Sequence, residues 1–313
     1  MPDVSFTQSH VMIPNPHPTS LAYYEWRPKE HPGGVHGVVQ LAHGMVEHLG
    51  RYADFAQYLA EQGYVVVGAD HRGHGKSASA DAPLGYFGDD IAWEVVAHDL
   101  DVVRRYAQSR FPGLPYVMFG HSMGSFLLRI YLSRKATGLA GAAIIGSGQW
   151  PGLLGVLGLG LARTLSTCNP TGTGTVLDKL AFGPYNKPFE GRTSFDWLSR
   201  DLGNVDRYIA DPLSGFVPSN AFYAELFHGL RMANQPEAFL INPEIPLYIA
   251  SGEVDPVGGA SAVDAIASQY REAGMTDIET HVYPNDRHEI FNETDKDAVW
   301  ADFATWLKRV CDA

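Results

Sequence analysis

The chain has 313 residues, 45% hydrophobic and 19% charged, with a formal net charge of -12 and two cysteines, Cys168 and Cys311. That length and composition suit a folded protein with a sizeable core, one large α/β domain carrying an insertion. The acidic balance argues against nucleic acid as a partner and against electrostatic docking on anionic lipid, leaving a neutral lipid open, and two cysteines suggest no disulfide framework and fit a reducing compartment.

In chain order, residues 1–10 lack a basic segment followed by an apolar run, and no later stretch approaches the length of a membrane span, so a cytoplasmic location is expected. Residues 6–13 and 20–26 are predicted as an antiparallel hairpin at a sheet edge. Short apolar strands then alternate with helices in the βα rhythm of a parallel sheet. Residues 37–41, 65–69, 116–119 and 142–145 read as buried strands. Residues 93–110 read as a helix with Val95, Val96, Leu100, Val103 and Tyr106 on its apolar face.

Gly120-His121-Ser122-Met123-Gly124 follows the third of these strands and precedes a helical pattern over 126–132. A serine between two such glycines, at the end of a strand and the start of a helix, describes a nucleophile elbow. The turn forces a strained backbone on the serine, and a Cβ at either glycine would crowd the neighbouring strand and helix. Between residues 147 and 243 the βα rhythm breaks. A Gly- and Leu-rich stretch over 151–161 leads into Thr-, Gly-, Asn- and Pro-rich loops and then a helical pattern over 219–233. The expected organisation is a core of residues 1–147 and 244–313, with residues 148–243 as a cap on the elbow side whose apolar side chains line an acyl tunnel. The repeated glycines predict mobility. The segment leaves room for transient contact with a lipid surface, although residues 151–162 offer no basic side chain to assist it.

A serine hydroxyl needs a base, and the base an orienting acid, here expected later in the chain in the order serine, acid, histidine. Residues 246–250 read as a buried strand and 251–257 as the loop leaving it, with Asp255 the preferred acid and Glu253 its rival. His288 lies beyond a last strand at 279–283 and before a terminal helix at about 295–310, where it can swing over Ser122. His281 lies inside that strand and reads as a packed or edge side chain. The developing oxyanion needs two backbone donors, for which the amides of Met123 and Met45 are the candidates.

These segments resemble the α/β-hydrolase superfamily, and within it the monoacylglycerol lipase and lysophospholipase branch that is also described as serine aminopeptidase-like. The likeness lies in His43-Gly44-Met45-Val46-Glu47-His48 with Arg51-Tyr52, in Asp70-His71-Arg72-Gly73-His74-Gly75-Lys76-Ser77, in the elbow, and in Tyr283 with Arg287-His288-Glu289. The resemblance implies a mostly parallel central sheet flanked by helices. It also implies a serine hydrolase acting on single-chain acyl esters, with Ser122, Asp255 and His288 as its triad and no cofactor.

Other readings remain open at this point. The same triad serves peptidases and carbon-carbon bond hydrolases, and an aminopeptidase would need cap carboxylates such as Glu190, Asp196 or Glu225 to grip an amino terminus. A non-catalytic binding protein of the same fold is a further alternative. His71 and His74 lack the Cys or carboxylate set of a metal site, so no metal is expected. Asp70 and Arg72 are expected to hold loop backbone beneath the site, and Glu47 and His48 to fix the oxyanion loop or touch a head group.

Overall fold

The structure is a computed structural model that describes residues 6–16, 19–29, 33–89, 91–135, 137–189 and 191–313. Glu190 and the first five residues lie outside this set.

Eight strands form one sheet: β1 (Phe6–Ile13), β2 (Leu21–Pro28), β3 (Gly37–Ala42), β4 (Tyr64–Ala69), β5 (Tyr116–His121), β6 (Gly141–Ile145), β7 (Leu247–Gly252) and β8 (Ile278–Tyr283). Their order across the sheet is β1-β2-β4-β3-β5-β6-β7-β8. β1 and β2 pair antiparallel, β2 meets β4 antiparallel, and every pairing from β4 to β8 is parallel. The fold is that of the α/β-hydrolases, and the expected hairpin forms its first edge.

Strands β3 to β7 are buried along their whole length, as parallel strands covered on both faces must be. Alternate residues serve opposite layers. Tyr116 and Met118 join a core with α2 (Trp93–Arg110), α3 (Met123–Lys135) and α8 (Gly259–Glu272). Val117 and Phe119 face the other way, into a core with α1 (Ala53–Glu61) and α9 (Lys296–Cys311).

Between β6 and β7 the chain inserts α4 (Gly152–Cys168), α5 (Thr175–Ala181), α6 (Leu202–Ala210) and α7 (Asn220–Ala233). The Gly-rich stretch is one continuous helix that packs on α7. One of its glycines is closely packed: a Cβ on Gly155 would stand 2.6 Å from the Trp150 ring. One boundary also differs from the sequence reading. Ser251 and Gly252 belong to β7, because the β7–β8 ladder continues to the pair Gly252 and Tyr283.

Candidate active site

β5 ends at His121, and Ser122 follows with φ 52°, a left-handed backbone that a non-glycine residue adopts at a cost. The turn is fixed by the Ser122 N–H donating to the Ile145 carbonyl at 2.9 Å. The close approach is steric as well. A Cβ on Gly124 would lie 2.1 Å from the Ala42 carbonyl oxygen, and one on Gly120 would lie 2.5 Å from that of Gly124. Only glycine at both places lets strand and helix close around the serine.

Asp255 and His288 meet. Both Asp255 carboxylate oxygens lie 3.0 Å from His288 Nδ1, which therefore carries the proton and donates. The carboxylate also accepts the Ser251 hydroxyl and the Val257 N–H, each at 2.9 Å. Glu253 accepts the Asn285 N–H at 3.0 Å instead. His281 bonds Glu279 and stacks on Tyr248, remote from this pair. Ser122 and His288 line one cavity, together with Met45 and Met123.

The loop after β3 is held by Glu47. Its Oε1 accepts the Gly44 N–H at 2.5 Å, so that amide is spent within the loop. Val46 sits at φ 49°, and its carbonyl accepts the Gly215 N–H at 2.9 Å and the Tyr208 hydroxyl at 3.2 Å. His48 bonds Asp211 at 2.6 Å. Residues 208–215 thus grip the loop that carries Met45.

Beneath the cavity runs a buried ionic chain. Arg51 Nη1 donates to Glu47 at 2.7 Å, and the guanidinium meets both oxygens of Glu289 at 2.6 and 2.7 Å. Asn204 donates to Glu289 at 2.7 Å, and Arg51 lies over the Tyr208 ring. Burial opposes charge on Glu47 and Glu289. The neighbouring His121 and Arg51 prevail at Glu47, and Arg51 prevails at Glu289, so both carboxyls stay well ionised. The residues are conspicuous in the motifs, but spacing alone does not reveal that Arg51 joins two loops 238 residues apart.

The three histidines behind the site are neutral. Burial pulls His71 down to about 3 and His74 to about 4, and His43 well below its usual value. Backbone groups occupy both ring nitrogens of His43: Nε2 accepts the His71 N–H, and Nδ1 donates to the Gly44 carbonyl. Asp70 accepts the N–H groups of Leu49 and Lys76, as expected. Arg72 departs from expectation. It pairs with the Asp99 carboxylate of α2 at 2.6 and 3.1 Å, because a fully buried guanidinium demands a counter-charge that loop carbonyls do not supply.

The cavity measures about 820 Å³ and runs from Ser122 past α4 and α5. Leu154, Leu157, Leu161, Leu177, Leu180 and Phe227 line it, and among the described residues no lysine or arginine does. Asp196 and Glu225 lie outside it as well. Asp196 bonds the Thr193 hydroxyl and N–H, and Glu225 accepts the Trp93 N–H at the start of α2. No helix among the described residues is long and apolar enough to cross a membrane.

Known proteins fit this architecture. Residues 33–295 match the family described as serine aminopeptidase, S33. A monoacylglycerol lipase of Mycolicibacterium smegmatis is 31% identical, over 97% of this chain and 98% of its own. A thermostable carboxyl esterase from Bacillus coagulans, solved with glycerol, superposes with a TM-score of 0.88 at 28% identity, covering 97% of this chain and 99% of the esterase. The monoglyceride lipase of Saccharomyces cerevisiae, solved with a substrate analog, shares the fold at a TM-score of 0.74 and 18% identity, covering 99% of this chain and 96% of that one. The chain belongs to the serine aminopeptidase S33 family of α/β-hydrolases, in the branch of the monoacylglycerol lipases.

Proposed function

We propose that this carboxylic ester hydrolase cleaves the acyl ester bond of monoacylglycerols, with Ser122, His288 and Asp255 as its triad and residues 148–243 as a cap over a core of 1–147 and 244–313. The observation that carries the reading is the cavity beside Ser122, apolar along α4 and, among the described residues, without a lysine or arginine in its wall. An acyl chain is at home there, whereas the phosphate of a lysophospholipid would meet no lysine or arginine among the described residues, and His121 is committed to Glu47. The relatives named monoacylglycerol lipase support the same choice. The positions of Asp196 and Glu225, both engaged outside the cavity, weigh against an aminopeptidase.

The chemistry is acyl transfer to water. His288 Nε2 removes the Ser122 hydroxyl proton as Oγ bonds the ester carbonyl carbon. Asp255 keeps the other proton on Nδ1 and stabilises the imidazolium. The amides of Met45 and Met123 donate to the oxyanion. Collapse breaks the carbon–oxygen bond, and His288 protonates the leaving glycerol. Water then repeats the sequence, freeing the fatty acid and restoring Ser122. The exposed apolar side chains of α4, Leu153 and Val156 among them, give the cap a face for brief contact with a neutral lipid surface.

The test is fatty-acid release from a monoacylglycerol and a lysophosphatidylcholine of equal chain length, both below micelle-forming concentration, with an aminoacyl anilide alongside. The glycerol ester should turn over fastest, and Ser122→Ala should abolish both turnover and labelling by a fluorophosphonate. Faster hydrolysis of the choline lipid or the anilide would overturn the substrate assignment, and a fully active Ser122→Ala protein would overturn the mechanism.

A further inference from the structure

We propose that Arg200 is a positioning residue for His288: with Asp286, Glu293 and Asp295 it fastens residues 196–200 to the loop that carries the base. The inference rests on the Ser122–His288–Asp255 reading above.

Arg200 stands just before α6, in the inserted segment, and three carboxylates converge on it. Its Nε meets Glu293 at 3.2 Å, and its Nη2 meets Asp295 at 2.8 Å and, closer still, Asp286. Its own N–H lies 3.0 Å from both Glu293 oxygens. Glu293 is fully buried and also accepts the Arg287 N–H at 2.9 Å and the Thr294 N–H at 3.2 Å. The guanidinium occupies the place a cation would take among these acids, and Glu293 is already committed to backbone amides. The cluster therefore reads as a bolt between two segments rather than a metal site.

What the bolt secures is the backbone on either side of His288. The Glu289 N–H donates to the Leu198 carbonyl at 2.7 Å and the His288 N–H to that of Trp197 at 3.4 Å. Arg287 Nη1 returns the contact, reaching the Asp196 and Ser199 carbonyls at 2.5 and 3.2 Å. The Trp197 ring packs on the His288 ring, centroids 5.1 Å apart. The acid loop is tied in through the Val254 N–H, which donates to the Asp286 carbonyl at 3.1 Å. Arg200 thus sets the register of a segment whose carbonyls and indole fix the base, and its planar fork can hold three carboxylates where a point charge cannot. A base must be held to a fraction of an ångström to reach the serine proton.

The experiment compares full-length wild type, Arg200→Gln, Arg200→Lys and His288→Ala. It measures kcat and KM on p-nitrophenyl butyrate, melting temperature, and the downfield proton resonance of the Asp255–His288 bond. Arg200→Gln should lower kcat by about 10- to 100-fold while KM stays within about twofold, and should shift or broaden that resonance, with Arg200→Lys recovering part of the rate. Wild-type kcat in folded Arg200→Gln overturns the proposal, as does a rate loss with the resonance unmoved. Should Arg200→Gln fail to fold, Asp295→Asn frees one side of the same guanidinium at the surface. It should lower kcat by about two- to fivefold, and an unchanged kcat overturns the proposal. A fully active His288→Ala protein would instead refute the triad on which the proposal stands. A dead His288→Ala beside a fully active Arg200→Gln refutes the positioning role alone.

Discussion

His121 Nε2 lies 3.2 Å from the carbonyl oxygen of His288, its neighbour across the elbow. A carbonyl only accepts, so Nε2 carries a proton. Nδ1 lies 2.8 Å from the Tyr52 hydroxyl, which donates its own hydrogen to Glu47 at 2.8 Å, so Nδ1 carries a proton too. His121 is an imidazolium. Burial opposes that charge, and the Glu47 carboxylate more than offsets it, raising the His121 pKa. Replacing His121 by Gln leaves Glu47 and Arg51 buried with one charge fewer, and should cost about 3 kcal/mol of stability in urea unfolding at pH 6. Because the folded value is raised, this stabilisation is complete below the unfolded value near 6.5 and is lost as pH rises through the folded value. The gap between wild type and variant should therefore narrow in alkaline buffer.

Acid should weaken the fold by the opposite route. His43, His71 and His74 are neutral when folded and protonate near pH 6.5 when unfolded, so unfolding takes up protons as pH falls from 6.5 toward 4. Asp286, raised to about 7 first by burial and then by Glu293 and Asp295, works the other way across the same window. Burial raises Asp70 and Glu225 as well, in the same sense as Asp286, and the three histidines are expected to outweigh these carboxyls. The melting temperature should drop steadily between pH 6.5 and 4.5, and a flat profile would contradict the buried neutral histidines.

The two loop carboxylates beyond β7 should separate cleanly. Asp255→Asn should reduce kcat by about 10⁴ by presenting the wrong imidazole tautomer to the serine. Glu253→Gln, at an exposed turn that holds only the Asn285 N–H, should leave kcat unchanged. Steady-state rates on a soluble ester decide the matter.

Much of this was legible in the sequence. The β-branched and glycine-flanked strands declared the parallel sheet, the elbow turn at Ser122 stood out in its motif, and Asp255 and His288, read as loop residues beyond β7 and β8, do meet. What stayed hidden were partnerships made at long range. Arg72 could not be matched to Asp99, nor Arg200 to its three carboxylates, because only folding brings 200 beside 286–295. The Gly-rich stretch was hard to read as a helix for a related reason. Glycine lowers helix propensity, yet α4 is helical throughout, with Trp150 packed on Gly155 and α7 along the helix, so tertiary contact overrides local preference.

Gly158 lines the cavity from α4, and a Cβ there would find no neighbour nearer than the Phe227 ring at 3.9 Å. Its side-chain space is cavity space. Gly158→Leu should shift the preferred acyl chain toward shorter esters by several carbons, read from kcat/KM over a C4 to C18 series, with the C4 rate least affected.

Leu153 is 74% exposed and Val156 50% exposed on the outer side of α4, away from the cavity lining. The double variant Leu153→Ser, Val156→Ser should bind neutral phospholipid vesicles more weakly in flotation assays and hydrolyse vesicle-borne substrate more slowly. Turnover of a soluble short-chain ester should not change.

β3 occupies the middle of the sheet, yet both of its partners, β4 and β5, come later in the chain. During synthesis β4 can cover one edge of β3, but the other edge stays unpaired until residues 116–121 have been made. Nor does the wait end there, since β7 and β8 follow the four inserted helices. The order of strands thus delays closure of the sheet until β7 and β8 have been made, and leaves unpaired strand edges exposed in the growing chain.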